Sequence, residues 1–142
     1  MPDPLPGKKV LRRMAYLRDQ EGIMQRYLRE AGGWEEHLRR SRKFIAESFS
    51  GLAGSGREQS LAILGSGWLL DVPLEKLRRR FRKIYLADIH HPPQIRKKVS
   101  TLKGVELVEE DLSGGAIEQV WSLLRKQKGE LSATALVEEI SL

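Results

Sequence analysis

The sequence contains no cysteine, which excludes disulfides, thiolate metal sites and cysteine nucleophiles. A chain without cysteine also fits a reducing compartment, so we expect a cytoplasmic location. No hydrophobic run approaches the roughly 18 residues needed to span a bilayer. The start, MPDPLPGKKVLRR, has no apolar core of the kind found in signal peptides. The absences therefore predict a protein that is neither inserted into a membrane nor secreted.

Acidic residues are too few to balance the basic ones, and the net charge is +6. The excess is concentrated between Val72 and Lys98, where Glu75 and Asp88 are the only acids among nine lysines and arginines. Such a patch attracts phosphates or an acidic protein, and it predicts nucleic acid as a partner through the Lys76–Lys83 segment. Aromatic residues are scarce at 6%, and no aromatic strip accompanies the bases. A solvated helix face that confers solubility is the alternative interpretation.

Residues 1–55 form a predicted helical lead. Apolar residues from Val10 to Leu28 recur at spacings of three, four or seven, which predicts one helix over residues 8–30. Gly22 weakens its middle, and a glycine pair ends it. A second helix is predicted over residues 34–52, with Trp34, Leu38, Ile45 and Phe49 on one side.

Residues 56–142 alternate between short apolar runs and helical patterns, which predicts an α/β portion. Strands are expected at residues 61–64, 83–88 and 105–111, and helices at 73–81, 92–102 and 114–129. Strand–helix alternation with short turns implies a parallel sheet. The segment 131–142 fits a fourth strand or a helix equally well. We expect the sheet to be incomplete, with an exposed edge.

One candidate feature lies at the end of each of the three predicted strands. Parallel α/β sheets bind ligands at the carboxyl ends of their strands. Gly65, Ser66 and Gly67 follow the first strand, and glycines there permit positive φ and a close backbone approach. Asp88 ends the second strand, about 20 residues beyond Gly67, where a carboxylate can accept hydrogen bonds from ribose hydroxyls. Asp111 follows the third strand and could reach a base. A tight turn and helix-capping carboxylates are the structural alternatives.

These stretches resemble the first three strands of class I S-adenosylmethionine-dependent methyltransferases; they read LAILGSGWLLDVP, KIYLADIHHP and VELVEEDLSG. The resemblance covers residues 35–128 and corresponds to an N-terminal portion of that family. It implies a Rossmann-like parallel sheet with helices on both faces, and S-adenosylmethionine as cofactor with S-adenosylhomocysteine as product. The methyl acceptor and the catalytic residues are not assigned.

The resemblance also implies a set of cofactor contacts. Gly65, Ser66 and Gly67 would pack against the methionine part, and Asp88 would bind the ribose diol with Ile89 beside the adenine. The adenine pocket would be lined by Asp111 and Leu112. Trp68 either stacks on the ligand or fills the core between sheet and helix.

The first motif departs from the family pattern. Ile63 stands at the usual acidic position and Leu69 at the third glycine position. The variant motif, Gly-Ser-Gly followed by bulky apolar residues, is similar to the one in nicotianamine-synthase-like enzymes, which use the same cofactor for another transfer. The dinucleotide pattern of NAD enzymes fits less well, because its last glycine would fall on Leu70.

Two other functions stay open at the level of sequence, whereas a metal interpretation does not. The chain could be a non-enzymatic basic module that binds nucleic acid or an acidic protein. It could also be an assembly domain with a vestigial pocket that pairs as a homodimer. Adjacent His90 and His91 invite a metal interpretation, but neighbouring side chains on an extended segment point apart and no third ligand is evident, so we predict no metal site.

Overall fold

A computed structural model describes residues 6–30, 32–51 and 59–126. The helices are α1 (Lys8–Arg13), α2 (Tyr16–Arg29), α3 (Glu35–Ser48), α4 (Leu74–Arg80), α5 (Pro93–Ser100) and α6 (Ala116–Lys126). The strands are β1 (Ser60–Leu64), β2 (Lys83–Asp88) and β3 (Val105–Glu109). None of the described helices is both long and apolar enough to cross a membrane.

The described residues fall into two compact units, one of residues 6–19 with 111–126 and the other between residues 20 and 110. The predicted division at residue 55 stays a prediction. The alternatives for segment 131–142 lie outside the described residues.

The single N-terminal helix predicted over residues 8–30 is wrong. The chain forms two helices, α1 and α2, because Ala15 between them adopts a left-handed conformation with φ of 66°. A left-handed residue interrupts the hydrogen-bond ladder of a helix. The apolar periodicity continues across the break, since it depends on side-chain spacing and carries no signal for a backbone reversal. Gly22, the predicted weak point, lies inside α2 without interrupting it.

The parallel sheet predicted from strand–helix alternation is confirmed. Its three strands run in the order β1-β2-β3, with Leu64 opposite Ala87 and Asp88 opposite Glu109. Each strand ends within two residues of its predicted limit. Within the described ranges β1 pairs with β2 alone, so its other edge has no strand partner there, and Leu64 at its end is 68% exposed.

The core of the second unit lies between the sheet and helices α4 and α5. Alternate residues of β2, Ile84 and Leu86, are completely buried because a strand presents every second side chain to the same face. Leu77 of α4 and Val99 of α5 pack on them. Burial of side chains of this size contributes roughly 1.5–3 kcal/mol each. The parallel pairing of β1 with β2 places the carboxyl ends of these two strands side by side.

Helix α3 also contacts this core. Ile45 and Phe49 pack against it, and the Phe49 and Phe81 rings meet edge to face with centroids 5.2 Å apart. Leu38 of the same helix is buried, so the predicted apolar side is confirmed for Leu38, Ile45 and Phe49. Trp34 instead contacts Glu30 and Tyr27.

Candidate functional site

The turn after β1 bends over the end of β2. The backbone N–H groups of Gly65 and Ser66 both donate to the carbonyl oxygen of Ala87, at 2.8 and 3.2 Å. Gly65 and Gly67 have φ values of 70° and 46°, in the left-handed region that glycine adopts without steric cost. The two glycines therefore allow a reversal tight enough to bring the turn onto the neighbouring strand.

Leu69 continues the turn in an unusual conformation. Its φ is 57°, although it is a leucine, and its N–H donates to the carbonyl oxygen of Ser66 at 3.0 Å. The left-handed region costs a side-chain-bearing residue roughly 1–2 kcal/mol. Leu69 is only 7% exposed and belongs to the core, so the burial of its side chain offsets that cost. This is the position at which the resembled motif has its third glycine.

The carboxylate of Asp88 closes on the turn from the end of β2. Its Oδ2 accepts a hydrogen bond from the N–H of Gly67 at 2.7 Å, and its Oδ1 accepts one from the N–H of Ile89 at 2.7 Å. Asp88 is half-buried, and no ion pair reaches it among the residues that the structure describes. The structure thus brings together the turn and the acidic residue that the sequence singled out separately.

These contacts decide which chemistry the turn offers. A backbone that alternates left-handed and right-handed residues commonly presents its N–H groups to an anion. Here the N–H groups of Gly65, Ser66 and Gly67 are occupied by the carbonyl of Ala87 and the carboxylate of Asp88. The turn and strand end therefore present a negative charge, which favours ligand groups that donate hydrogen bonds or carry positive charge.

Trp68 contacts the core and the backbone of Gln20, and Ser66 is buried in the turn. The half-buried Trp68 packs partly against the core, and its Nε1 donates to the backbone carbonyl of Gln20 at 2.6 Å. Ser66 is 3% exposed, and its buried hydroxyl oxygen has no hydrogen-bond partner among the described residues. Of the two interpretations of Trp68, these contacts favour a core position, and stacking on a ligand stays a prediction.

Gln20 is a positioning residue that sequence reasoning missed. Besides accepting the hydrogen bond from Trp68, it donates from its side-chain Nε2 to the carbonyl oxygen of His90 at 2.9 Å. It therefore ties the turn after β1 to the segment after β2. No local signal could have found it, because its partners lie 48 and 70 residues away along the chain.

The two adjacent histidines do different things. His91 is completely buried, and its Nε2–H donates to the carbonyl oxygen of Val108 at 3.0 Å. The Nδ1 of His90 lies 3.6 Å from Oε1 of Glu109, which also pairs with Arg96. No group of three histidine or acidic side chains suited to a metal ion occurs among the described residues.

Asp111 and Leu112 belong to the other compact unit and are described there. The Oδ1 of Asp111 accepts hydrogen bonds from the backbone N–H of Ser113 at 2.9 Å and from its hydroxyl group. This is the pattern of a carboxylate that stabilises a turn before a helix, here α6. Leu112 is 50% exposed. Their predicted contacts with an adenine ring stay predictions.

No protein-family model, no curated protein and no solved structure matches the chain.

Proposed function

We propose that the carboxyl ends of β1 and β2 bind the ribose of S-adenosylmethionine, and that the chain is a methyltransferase-like domain with a Rossmann-like fold. The observation that carries the proposal is the position of the Asp88 carboxylate, hydrogen-bonded to the Gly67 amide with no positively charged partner in the described part of the chain. A ribose diol supplies two hydroxyl donors of the kind that such a carboxylate accepts.

The residues present are suited to this ligand. A carboxylate has about four lone-pair sites, and the two N–H donors at Asp88 occupy one site on each oxygen. One acceptor site per oxygen is therefore left for the two ribose hydroxyls. Ile89 follows directly and supplies an apolar surface for the adenine ring. The buried hydroxyl of Ser66, without a partner in the described ranges, is a further polar group at the turn.

The charge of the site favours S-adenosylmethionine over a dinucleotide. S-adenosylmethionine carries a sulfonium and an ammonium group, whereas NAD carries a pyrophosphate. The amides that would hold a pyrophosphate are already occupied by Ala87 and Asp88, and the Asp88 carboxylate repels negative charge. When bound, the cofactor would supply an activated methyl group, and the chain's own residues would position its nucleoside.

Replacing Asp88 with alanine should weaken S-adenosylmethionine binding about tenfold or more, because charge-assisted hydrogen bonds contribute roughly 1.5–3 kcal/mol. Isothermal titration calorimetry with S-adenosylmethionine, S-adenosylhomocysteine and NAD measures this directly. We expect heat with the first two ligands and none with NAD. Absence of heat with wild-type protein at millimolar S-adenosylmethionine would refute the proposal.

The alanine variant also leaves the Gly67 and Ile89 amides without acceptors, so its thermal melting temperature should fall. Asp88→Asn keeps one oxygen acceptor and removes the charge, and we expect it to melt closer to wild type while still binding more weakly. Glu47→Ala, which removes one exposed carboxylate from α3, is the matched control and should bind like wild type. Equal weakening by Glu47→Ala would assign the effect to net charge.

A further inference from the structure

A cavity lies at the opposite end of the sheet from Asp88. It has a volume of about 520 Å³ and is lined from α4, from the turn before β2 and from the turn before β3. Because β2 begins at Lys83 and β3 at Val105, this amino-end cavity lies where the strands start. Its basic lining residues are Arg78, Arg79, Arg82 and Lys103.

The positive charge of the amino-end cavity is largely uncompensated. Glu75 is the one acidic lining residue, and it pairs with Arg78 at 3.0 Å. The exposed side chains of Arg79, Arg82 and Lys103 have no ion pair within the described ranges. The Nε of Arg78 is buried and has no hydrogen-bond partner there. The cavity therefore combines three free positive charges with a buried donor that lacks an acceptor.

The backbone brings two of these bases, Arg82 and Lys103, to the same place in the fold. Gly104 has φ of 79°, and a Cβ on it would lie 2.5 Å from the carbonyl oxygen of Arg82. The carbonyl oxygen of Gly104 accepts a hydrogen bond from the N–H of Ile84 at 2.7 Å. The N–H of Arg82 donates to the backbone carbonyl oxygen of Gln59 at 3.1 Å. This close approach fixes Lys103 beside Arg82, so the two charges are set by the fold, although they are 21 positions apart in the sequence.

A basic groove adjoins the amino-end cavity. Its volume is about 500 Å³, and Glu75 borders both. Five bases line this groove: Arg39, Arg42, Lys43, Lys76 and Lys98.

Only part of that charge is available. Arg39 is held by Glu36, whose pKa is lowered to about 2 by the hydrogen bonds from Arg39 and Arg40. Lys43 lies 3.7 Å from Glu47. Lys76 and Lys98 have no ion pair in the described part of the chain, so they extend the free positive charge beyond the amino-end cavity.

We propose that the amino-end cavity and the adjoining groove bind the phosphate backbone of nucleic acid. A repeating polyanion can place successive phosphates in both, whereas a single phosphate would occupy one. Arginine recognises phosphate through paired donors, which the exposed guanidinium groups of Arg79 and Arg82 can supply. This assignment places the partner predicted for the Lys76–Lys83 segment on particular side chains and adds Lys103 and Lys98 to it.

The apolar residues of the same surface argue against a protein partner. Leu74 and Phe81 line it but are only 4% and 5% exposed. Val72 and Pro73 also line it and are half-buried, so the four side chains offer little apolar surface for a partner to cover. Protein interfaces depend on apolar or aromatic residues at their centre. Phe81 is also the one aromatic lining residue, so we expect binding without base stacking and without sequence preference.

Fluorescence anisotropy with a labelled 20-nucleotide mixed-sequence RNA, titrated between 50 and 200 mM KCl, tests the proposal. We expect wild-type binding to weaken with salt along a linear log–log plot. The triple variant Arg79→Gln/Arg82→Gln/Lys103→Gln should bind at least tenfold more weakly, with the slope reduced by about 2. Thermal melting checks that the variant is folded; the three side chains are exposed and none of them belongs to the core cluster.

The control variant is Arg18→Gln/Arg26→Gln/Arg29→Gln, which removes the same charge from exposed positions of α2. It should change the affinity less than twofold. The proposal is overturned if wild type does not bind RNA at 50 mM KCl, or if the control variant weakens binding as much as the cavity variant. A 20-residue polyglutamate peptide that binds as tightly as RNA would also overturn it. None of these outcomes bears on Asp88, so this proposal and the cofactor proposal fail separately.

Discussion

Replacing Gly104 with alanine is expected to lower the free energy of unfolding by about 2–4 kcal/mol. The φ of 79° at this residue lies in the left-handed region, which costs alanine roughly 1–2 kcal/mol. The added Cβ would also lie 2.5 Å from the carbonyl oxygen of Arg82, a backbone atom that cannot move aside freely. Relief of that contact requires the turn to shift, which strains the hydrogen bond between Ile84 N–H and the Gly104 carbonyl. Urea denaturation followed by circular dichroism measures the change.

Two other glycines separate the contributions of conformation and contact. Gly114 has φ of 65°, but a Cβ added to it would meet no atom within 4 Å, so Gly114→Ala should cost only the conformational part, about 1 kcal/mol. Gly22 lies in the middle of α2 with open space around it, so Gly22→Ala should stabilise by about 0.5–1 kcal/mol. If Gly104→Ala costs no more than Gly114→Ala, the close approach that holds Lys103 beside Arg82 is absent from the protein.

Substitutions at Leu69 should reverse the usual order of alanine and glycine. Leu69→Ala removes a side chain that is 7% exposed, and it should destabilise the protein by about 2–4 kcal/mol. Glycine at an ordinary position costs a further 0.5–1 kcal/mol or so relative to alanine. At Leu69 the φ of 57° is left-handed, so glycine instead relieves strain that alanine retains. We therefore expect Leu69→Gly to be at least as stable as Leu69→Ala in urea denaturation.

Leu77 provides the matched comparison. It lies in α4 and is 2% exposed, with ordinary helical backbone, so Leu77→Gly should be about 1 kcal/mol less stable than Leu77→Ala. If the Leu69 pair shows the same order and size of difference as the Leu77 pair, Leu69 is not left-handed in solution. The expected result would mean that the turn holds a left-handed backbone at Leu69 in solution without a glycine there.

The residues of the candidate site at the carboxyl ends of β1 and β2 could be predicted from the sequence, but the contacts between them could not. Gly67 and Asp88 could be found because each follows an apolar run, and parallel strands end at the same edge of a sheet. That the Gly67 amide donates to the Asp88 carboxylate could not be predicted. The contact depends on how closely the turn approaches the end of β2. That approach is set by the left-handed residues Gly65, Gly67 and Leu69. Of these, the leucine has no sequence signal for positive φ.

The basic patch was likewise only partly predictable from the sequence. Its density between Val72 and Lys98 was visible in the sequence, but which charges are free was not. Lys83 pairs with Glu106 across the strands, and Arg96 pairs with Glu109, so both are partly neutralised. Lys103, outside the dense run, joins Arg82 because Gly104 allows the turn before β3 to approach.

The order of strands and helices in the α/β portion, the parallel sheet and the positions at which the strands end could all be predicted from the sequence. Those features follow from the period of apolar residues and from glycine and proline at the turns, which are local properties. The folded chain was needed to reveal the break at Ala15, the role of Gln20, the occupancy of the turn amides by Asp88, and the meeting of Lys103 with Arg82. Each of these depends on a backbone conformation or on contacts between residues far apart in the chain, and hydrophobic periodicity records neither.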